Sequence, residues 1–208
     1  TDYCSNSSQM KESFEKNTSH QFISFAADHR ELDHIPDFPF RPFHENNQNI
    51  DNLLGVRNFL YLINPSNFSI KEEMIESLSR TNYDLFIIDP FFSDDEILST
   101  EDISTLKQKS NGGRRLVLSY FSIGEAENYR YYWKKEWDHH PPSWLGEENP
   151  DWKGNYTVRY WDREWQRIIV GNSDAFLDKI LEIGFDGVYL DKVDSFEYFE
   201  SIDDSNFQ

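Results

Sequence analysis

Residues 116–125 read LVLSYFSIGE, and this stretch decides the fold class. Apolar side chains dominate its first six residues, and the run stops at Gly124 and Glu125. Short apolar runs of this kind, without strict polar alternation, are typical of strands that are buried on both faces of a parallel sheet. The stretch therefore predicts a buried strand with a carboxylate just beyond its end.

Similar runs occur on both sides of this strand. Residues 59–63, 85–88 and 187–190 are short and apolar, and residues 157–161 read as one more strand. Between them lie segments with apolar residues at helical spacing, which predict helices over 69–78, from Thr100 to about 110, and over 173–183. Ser69 is the expected N-cap of the first of these helices, with Glu72 three residues later.

Strands that alternate with helices predict right-handed crossovers and a parallel α/β sheet. Doubly wound sheets and eightfold barrels both fit this alternation. Asn64-Pro65-Ser66 stands where a dinucleotide-binding turn would need glycines. We therefore expect a (β/α)8 TIM-type barrel over residues 53–208, of which the five predicted strands are a part.

The first 52 residues have a different composition, rich in Asn, Ser, His and Asp. Pro36, Pro39 and Pro42 recur at every third position, which suits an extended, polyproline-like segment. We expect residues 1–52 to form a polar, partly extended N-terminal arm laid over the domain surface. A docking arm for another protein is the alternative.

Charge and composition exclude several function classes. The chain has 38 acidic and 20 basic residues, a formal net charge of −18, so nucleic acid is not an expected partner. No apolar run approaches the length that crosses a bilayer, so membrane insertion is not expected. With one cysteine, Cys4, there is neither a disulfide framework nor a cysteine-rich metal module.

The predicted strands end in acids. Asp89 follows the second, Glu125 and Glu127 the third, Asp162 the fourth, and Asp191 and Asp194 the fifth. Because strand ends of parallel α/β folds converge on one mouth, these carboxylates are expected to meet there. Clustered carboxylates shift one another's pKa values apart, as glycoside hydrolysis requires. Binding of a divalent metal by the same acids is the alternative. We expect no metal site and no cofactor, because Lys192 beside Asp191 can supply the positive charge that keeps a neighbouring carboxylate ionised.

Aromatic residues are concentrated between the third and fourth strands. All six tryptophans fall between Trp133 and Trp165. Their rings suit either packing or stacking on sugars, and we expect at least one to face the cleft. His139-His140, by contrast, precedes two prolines with no third metal ligand at suitable spacing, and is expected in an exposed loop.

Two long motifs make the chain similar to a known family. Residues 118–130 (LSYFSIGEAENYR) and 184–194 (GFDGVYLDKVD), with shorter matches at 83–89, 142–144, 150–152 and 160–165, resemble the endo-α-1,4-polygalactosaminidase-like hydrolases of glycoside hydrolase family 114. The similarity includes a branch once labelled as cysteinyl-tRNA synthetase relatives. The resemblance implies a (β/α)8 barrel and a glycosidase whose partner is a polysaccharide or oligosaccharide, with an α-1,4-linked galactosamine or N-acetylgalactosamine polymer as the substrate that the family suggests.

The motifs depart from the family pattern at two positions. Where characterised members carry their acids, this chain aligns Asn128 and Tyr189. The resemblance therefore implies that the acids have moved to Glu125 and Asp191. The motif region is also shorter than the roughly 200–250 residues of a closed barrel, and we expect a truncated chain.

These observations lead to one hypothesis with two rivals. Glu125 is the expected general acid, Asp191 the nucleophile or base, and Asp89 a substrate-orienting or pKa-tuning group. The expected substrate-binding residues are Tyr120, Glu127, Arg130, Tyr160, Trp161, Lys192 and Asp194. A carbohydrate-binding protein without catalysis is the first rival and a metal-dependent aldolase or phosphatase the second. A secreted or extracellular protein is expected, although the chain shows no signal peptide.

Overall fold

The computed structural model describes residues 1–93 and 96–205, which form two compact units. The first unit comprises Thr1–Tyr120 and Ile183–Val188, and the second comprises Phe121–Glu182 and Tyr189–Gln208. Within the described part of the chain, no helix has the length and apolar character needed to cross a membrane.

Strands and helices alternate along much of the chain. The strands are β1 (Asp2–Tyr3), β2 (Ala26–Ala27), β3 (Phe59–Leu62), β4 (Leu85–Ile88), β5 (Phe91–Ser93), β6 (Glu96–Ile97), β7 (Leu116–Ser122), β8 (Glu125–Glu127), β9 (Leu145–Glu148), β10 (Asn155–Val158) and β11 (Gly187–Asp191). The α-helices are α1 (Ser7–Ser19), α2 (Lys71–Ser79), α3 (Thr100–Leu106), α4 (Arg163–Ile169), α5 (Phe176–Glu182) and α6 (Ser195–Ser205).

The main sheet has four strands in the order β11-β7-β4-β3. β3 pairs in parallel with β4, and β4 pairs in parallel with β7, with Leu62 opposite Ile88 and Ile88 opposite Ser119. All four residues of β4 are buried, as expected for a strand that lies inside a parallel sheet. The α/β class and the four apolar strands are confirmed. The four strands do not amount to a closed barrel, so the complete (β/α)8 architecture stays a prediction.

The expected fourth barrel strand is wrong. Residues 155–158 form β10, which pairs antiparallel with both β8 and β9 in a separate three-stranded sheet. β9 and β10 are joined by a short loop that ends at Gly154, with φ of +87°. A local hairpin closes a much shorter loop than a crossover to the main sheet, so its entropic cost is lower.

The helices begin differently from one another. α3 begins with a capping box in which the Ser99 side chain accepts from Asp102 N–H and Asp102 accepts from Ser99 N–H. α2 has Ile70 at its N-cap position and no side-chain cap. The expected Ser69 cap is therefore wrong, because Ser69 instead donates its backbone N–H to Glu73.

The N-terminal segment carries its own structure. α1 places Met10 and Phe14 in a small cluster with Cys4 and Ala26, against which Phe38 and Phe43 pack. Phe14 and Phe43 stack with ring centroids 4.9 Å apart. Residues 1–52 thus include a 13-residue helix as well as extended chain, and the domain boundary after residue 52 stays a prediction.

Tryptophans form the interior of the second unit. Trp144 and Trp165 are buried, with ring centroids 5.3 Å apart. Trp137 meets Trp144 edge to face at 5.1 Å, and Trp133 meets Trp137 at 5.4 Å. These four rings are therefore packing residues, whereas Trp152 and Trp161 are exposed.

Candidate functional site

Glu125 is a buried carboxylate at the start of β8, in the second unit. Only 5% of the residue is exposed. Its Oε1 accepts a hydrogen bond of 2.8 Å from the Asn149 side-chain amide and lies 3.0 Å from Lys192 Nζ. Buried carboxylates need such partners, because an unpaired charge away from water is costly.

The backbone around Gly124 brings the end of β11 to Glu125. Ile123 N–H donates to the Asp191 carbonyl, so the segments carrying the two predicted acids lie side by side. A Cβ atom at Gly124 would lie 2.5 Å from the Lys192 carbonyl and would also overlap Ser195 Oγ. Only glycine therefore permits this approach, which places Lys192 against Glu125.

The turn after β11 is held in a specific conformation. Lys192 has a φ of +59°, in the left-handed region that a residue with a Cβ adopts at some cost. Ser195 Oγ donates to the Lys192 carbonyl at 2.8 Å, and Ser195 N–H donates to the same oxygen. These contacts direct the Lys192 side chain rather than leaving it free in solvent.

Glu127 and Arg130 bind each other. Arg130 Nε lies 2.6 Å from Glu127 Oε2, and both residues are almost completely buried. Tyr129 donates its hydroxyl to Glu127 Oε1, and Glu127 N–H donates to the Tyr132 hydroxyl oxygen. Burial raises the pKa of Tyr132 far above its ordinary value, so this phenol stays neutral.

Exposed aromatic rings lie together elsewhere in the second unit. Tyr160 and Trp161 meet edge to face at 4.9 Å, and Trp161 meets Phe199 of α6 at 4.7 Å. About half of Trp161 is exposed (51%). A partly exposed ring that is held by two neighbours can offer a rigid face to a sugar.

The other predicted carboxylates and Tyr120 have the following places in the structure. Asp89 and Tyr120 belong to the first unit, where the Asp89 side chain accepts from Phe91 N–H at 2.8 Å. Asp162 is the N-cap of α4 and accepts from Glu164 N–H, which is a structural role. Asp194 is exposed before α6, and its carbonyl accepts from Glu197 N–H. The structure thus joins Glu125, the Asp191 backbone and Lys192.

The contacts of Glu125 indicate what its side chain can do. The Asn149 amide and the Lys192 ammonium group both lie against Oε1, a pattern that suits an ionised carboxylate. A general acid must instead carry the proton itself. The arrangement is therefore better suited to a nucleophile, a base or an electrostatic stabiliser.

Sequence reasoning missed Asn149 and one possible metal-binding group. Asn149 begins the β9–β10 loop, and only the antiparallel pairing brings it to Glu125. Asp28, His29 and His34 of the first unit have ligand atoms within 4.8 Å of one another. The repeated Asp-His pair in 28–34 (DHRELDH) was the available signal for this second group.

A family model matches most of the chain. The model of glycoside hydrolase family GH114 covers residues 66–208, which confirms the resemblance in the two long motifs. An uncharacterised protein of Methanocaldococcus jannaschii is 44% identical over 136 residues, 64% of this chain and 36% of that protein. One from Thermotoga maritima is 50% identical over 82 residues, 39% of this chain and 24% of that protein. The chain spans about a third or less of these two relatives.

Two solved structures are also similar. The glycoside hydrolase domain of PelA from Pseudomonas aeruginosa is 17% identical, with 67% of this chain and 45% of that chain covered, at a TM-score of 0.41. The Aspergillus fumigatus Ega3 complex with galactosamine is 22% identical, with 74% and 51% covered, at a TM-score of 0.44. At such low TM-scores, these likenesses support no inference about the site.

Proposed function

Because the chain belongs to glycoside hydrolase family GH114, we propose that the protein hydrolyses glycosidic bonds in a polysaccharide. The observation that carries the proposal is the buried Glu125 carboxylate, paired with Lys192 beside Asp191. Residues 118–130 and 184–194 hold all three side chains, and these are the two motifs that resemble the family. A polymer of α-1,4-linked galactosamine or its N-acetyl form is the proposed substrate, and a secreted location belongs to the same proposal.

Glu125 and Asp191 are the proposed catalytic pair, with their roles exchanged relative to the sequence expectation. Glu125 accepts a hydrogen bond from Asn149 and forms an ion pair with Lys192, which supports its action as nucleophile or base. Asp191 is then the candidate general acid, because hydrolysis needs one carboxyl group of each kind. Asp89 keeps its proposed place as a substrate-orienting or pKa-tuning group.

The proposed substrate-binding residues divide by exposure. Trp161 and Tyr160 offer exposed ring faces, and Asp194 offers an exposed carboxylate. Tyr120 and Lys192 are partly exposed. Glu127 and Arg130 are buried and paired with each other, so we assign them to positioning β8 and Tyr129 rather than to sugar contact.

Reducing-end formation from an α-1,4-linked galactosamine polymer tests the proposal. The wild-type chain should release new ends, and Glu125→Gln should abolish release because the amide can neither attack nor accept a proton. Glu147→Gln is the matched control, since Glu147 is exposed on β9 of the same unit and its turnover should be unchanged. Equal turnover by Glu125→Gln and wild type would contradict the assignment of Glu125.

A carbohydrate-binding protein without catalysis is the second candidate function. It is favoured by Asn128 and Tyr189, which stand where the resemblance places the family's acids. Under this alternative the wild-type chain binds the polymer and no new reducing ends appear. Loss of binding in Trp161→Ala, with no hydrolysis by wild type, would support the alternative over the enzyme.

A further inference from the structure

We propose that Asp28, His29 and His34 bind a divalent zinc ion, with Asp33 holding the two imidazoles in place. The four residues lie in one short segment, DHRELDH, directly after β2 in the first unit. This segment precedes residues 66–208, over which the family model matches. The proposed zinc site therefore uses none of the residues of the proposed glycosidase site.

Each imidazole lies between two carboxylates. His29 Nδ1 is 2.9 Å from Asp28 Oδ1, and His29 Nε2 is 2.7 Å from Asp33 Oδ1. His34 repeats the arrangement, with Nε2 3.1 Å from Asp28 Oδ2 and Nδ1 2.8 Å from Asp33 Oδ1. Each of the four ring nitrogens thus faces a carboxylate oxygen.

Neutral imidazoles alone cannot satisfy these four contacts. A neutral ring has one N–H, so it can donate to one carboxylate and turns a lone pair toward the other. The ring nitrogen without a hydrogen needs a proton or a metal cation to make its carboxylate contact favourable. The rings are stacked, with centroids 4.5 Å apart and planes 13° apart, so two imidazolium charges would repel each other at close range.

A cation on the Asp28 side removes this conflict. His29 Nε2–H and His34 Nδ1–H then both donate to Asp33, while His29 Nδ1 and His34 Nε2 direct lone pairs at the cation beside Asp28. Carboxylates that orient metal-binding imidazoles in this way are common around protein metal sites. Asp33 has a side chain only 12% exposed, whereas Asp28 is 44% exposed, so the ion would have a path from solvent.

The ligand chemistry and spacing fit zinc. Two imidazoles and a carboxylate form a mixed nitrogen and oxygen set that suits zinc, whereas magnesium and calcium prefer oxygen ligands alone. Tetrahedral ligands about 2.0–2.1 Å from zinc lie about 3.3 Å from one another. The contacts of 2.9 Å from His29 Nδ1 and 3.1 Å from His34 Nε2 go to the two different oxygens of Asp28. One ligand atom from each of the three residues lies within 4.8 Å of the others, so a modest side-chain movement would bring them to this spacing.

The backbone on both sides of the ligands is fixed before any ion binds. The Ala27 carbonyl accepts from Cys4 N–H at 2.7 Å, within the β1–β2 pair. The Leu32 carbonyl accepts from Ile63 N–H at 3.0 Å and from Asn64 N–H at 3.3 Å, immediately after β3. The ion would therefore tie an already positioned segment more firmly to the first unit.

Zinc titration of the full chain by calorimetry tests the site, after a chelator has been applied and removed. Wild type should bind one equivalent of Zn2+, and Mg2+ alone should give no binding. His29→Gln/His34→Gln should weaken the affinity about 100-fold or more, and Asp33→Asn about 10–100-fold. The control is His139→Gln/His140→Gln, which replaces two exposed histidines that are adjacent in sequence. This variant should bind zinc as wild type does.

Asp28→Asn keeps both imidazoles and changes one exposed group, so it tests the site even if the double variant fails to fold. It should lose zinc affinity and lose the zinc-dependent rise in Tm. Absence of a wild-type equivalent would overturn the proposal. So would equal zinc affinity in wild type, Asp28→Asn and the His29→Gln/His34→Gln variant.

Discussion

Lys192 Nζ lies 3.0 Å from Glu125 Oε1, and this ion pair joins the residue after β11 to the first residue of β8. The two residues are far apart in sequence and each belongs to one of the long family-like motifs. Their contact depends on the glycine at 124 and on the left-handed turn at Lys192.

Lys192→Met should remove the cation while keeping most of the side-chain volume. Glu125 would keep its Asn149 contact but lose its charged partner, so we expect a loss of about 1–3 kcal/mol in the free energy of unfolding. Because the Lys192 side chain is 33% exposed, water should keep the loss near the lower end. Turnover on the galactosamine polymer should fall about 100-fold.

Urea unfolding and reducing-end assays measure these two effects separately. Lys192→Arg retains the charge and should recover part of both. Lys153→Met, at an exposed position of the same unit, should change neither. Wild-type turnover in Lys192→Met would show that the pair has no part in catalysis.

Gly124→Ala should displace the turn after β11. The added Cβ would lie 2.5 Å from the Lys192 carbonyl, and backbone atoms cannot move aside as a flexible side chain can. We expect turnover to fall at least about tenfold, because a shift of about 1 Å is enough to misplace catalytic groups. Gly55→Ala is the control, since its nearest neighbours would lie 3.7 Å away. If both variants retain full activity, the close approach at Gly124 is unimportant.

Trp161 and Trp165 should respond differently to replacement by alanine. Trp165 is completely buried and donates its indole N–H to the Ile123 carbonyl, so Trp165→Ala should cost about 3–5 kcal/mol of stability. Trp161 is half exposed, so Trp161→Ala should have a much smaller effect on stability and should weaken polymer binding. Thermal unfolding and a polymer-binding assay distinguish the two, and unchanged binding by Trp161→Ala would remove it from the proposed site.

Ser99→Ala should destabilise the protein by about 1 kcal/mol, whereas Ser69→Ala should have little effect. Ser99 forms a capping box with Asp102, but Ser69 caps no helix. Burial tends to raise the pKa of Asp102, but hydrogen bonds from Ser99 and the charge of Lys71 outweigh it and lower that pKa. The stabilisation by ionised Asp102 is therefore fully present above the ordinary aspartate pKa and is lost as pH falls from that value through the lowered pKa of the folded protein.

The cost of Ser99→Ala should accordingly be smaller in strong acid than at neutral pH. Denaturant unfolding of wild type and both serine variants at the two pH values checks this. A Ser69→Ala variant that is destabilised as much as Ser99→Ala would contradict the helix starts described here.

Local sequence patterns predicted what depends on local chemistry. Residues 85–88 form β4, as predicted, because a strand inside a parallel sheet is buried on both faces and can therefore bury four consecutive apolar residues. The prediction for residues 157–161 was wrong because a short run with three apolar or aromatic residues, Val158, Tyr160 and Trp161, fits equally well in a crossover strand or a hairpin. The nearby partner β9 decided in favour of the hairpin.

The sequence likewise did not predict which of the tryptophans are buried. Trp161 and Trp165 are four residues apart and chemically identical, yet one is exposed and the other has no exposed surface. Helix α4 begins after Asp162 and turns Trp165 toward Trp144. Which face of a short helix is buried depends on neighbours that a single sequence does not identify.

The sequence by itself determined the α/β class, the apolar strands and the family, because periodicity and motif identity are properties of adjacent residues. Only the tertiary structure decided that Glu125 contacts Lys192 and Asn149, and that the side chains of Asp28, His29 and His34 lie close together. Such contacts join side chains through space, and their distances depend on loop closure, glycine approach and strand pairing. Those quantities are set by the whole fold and not by any one segment.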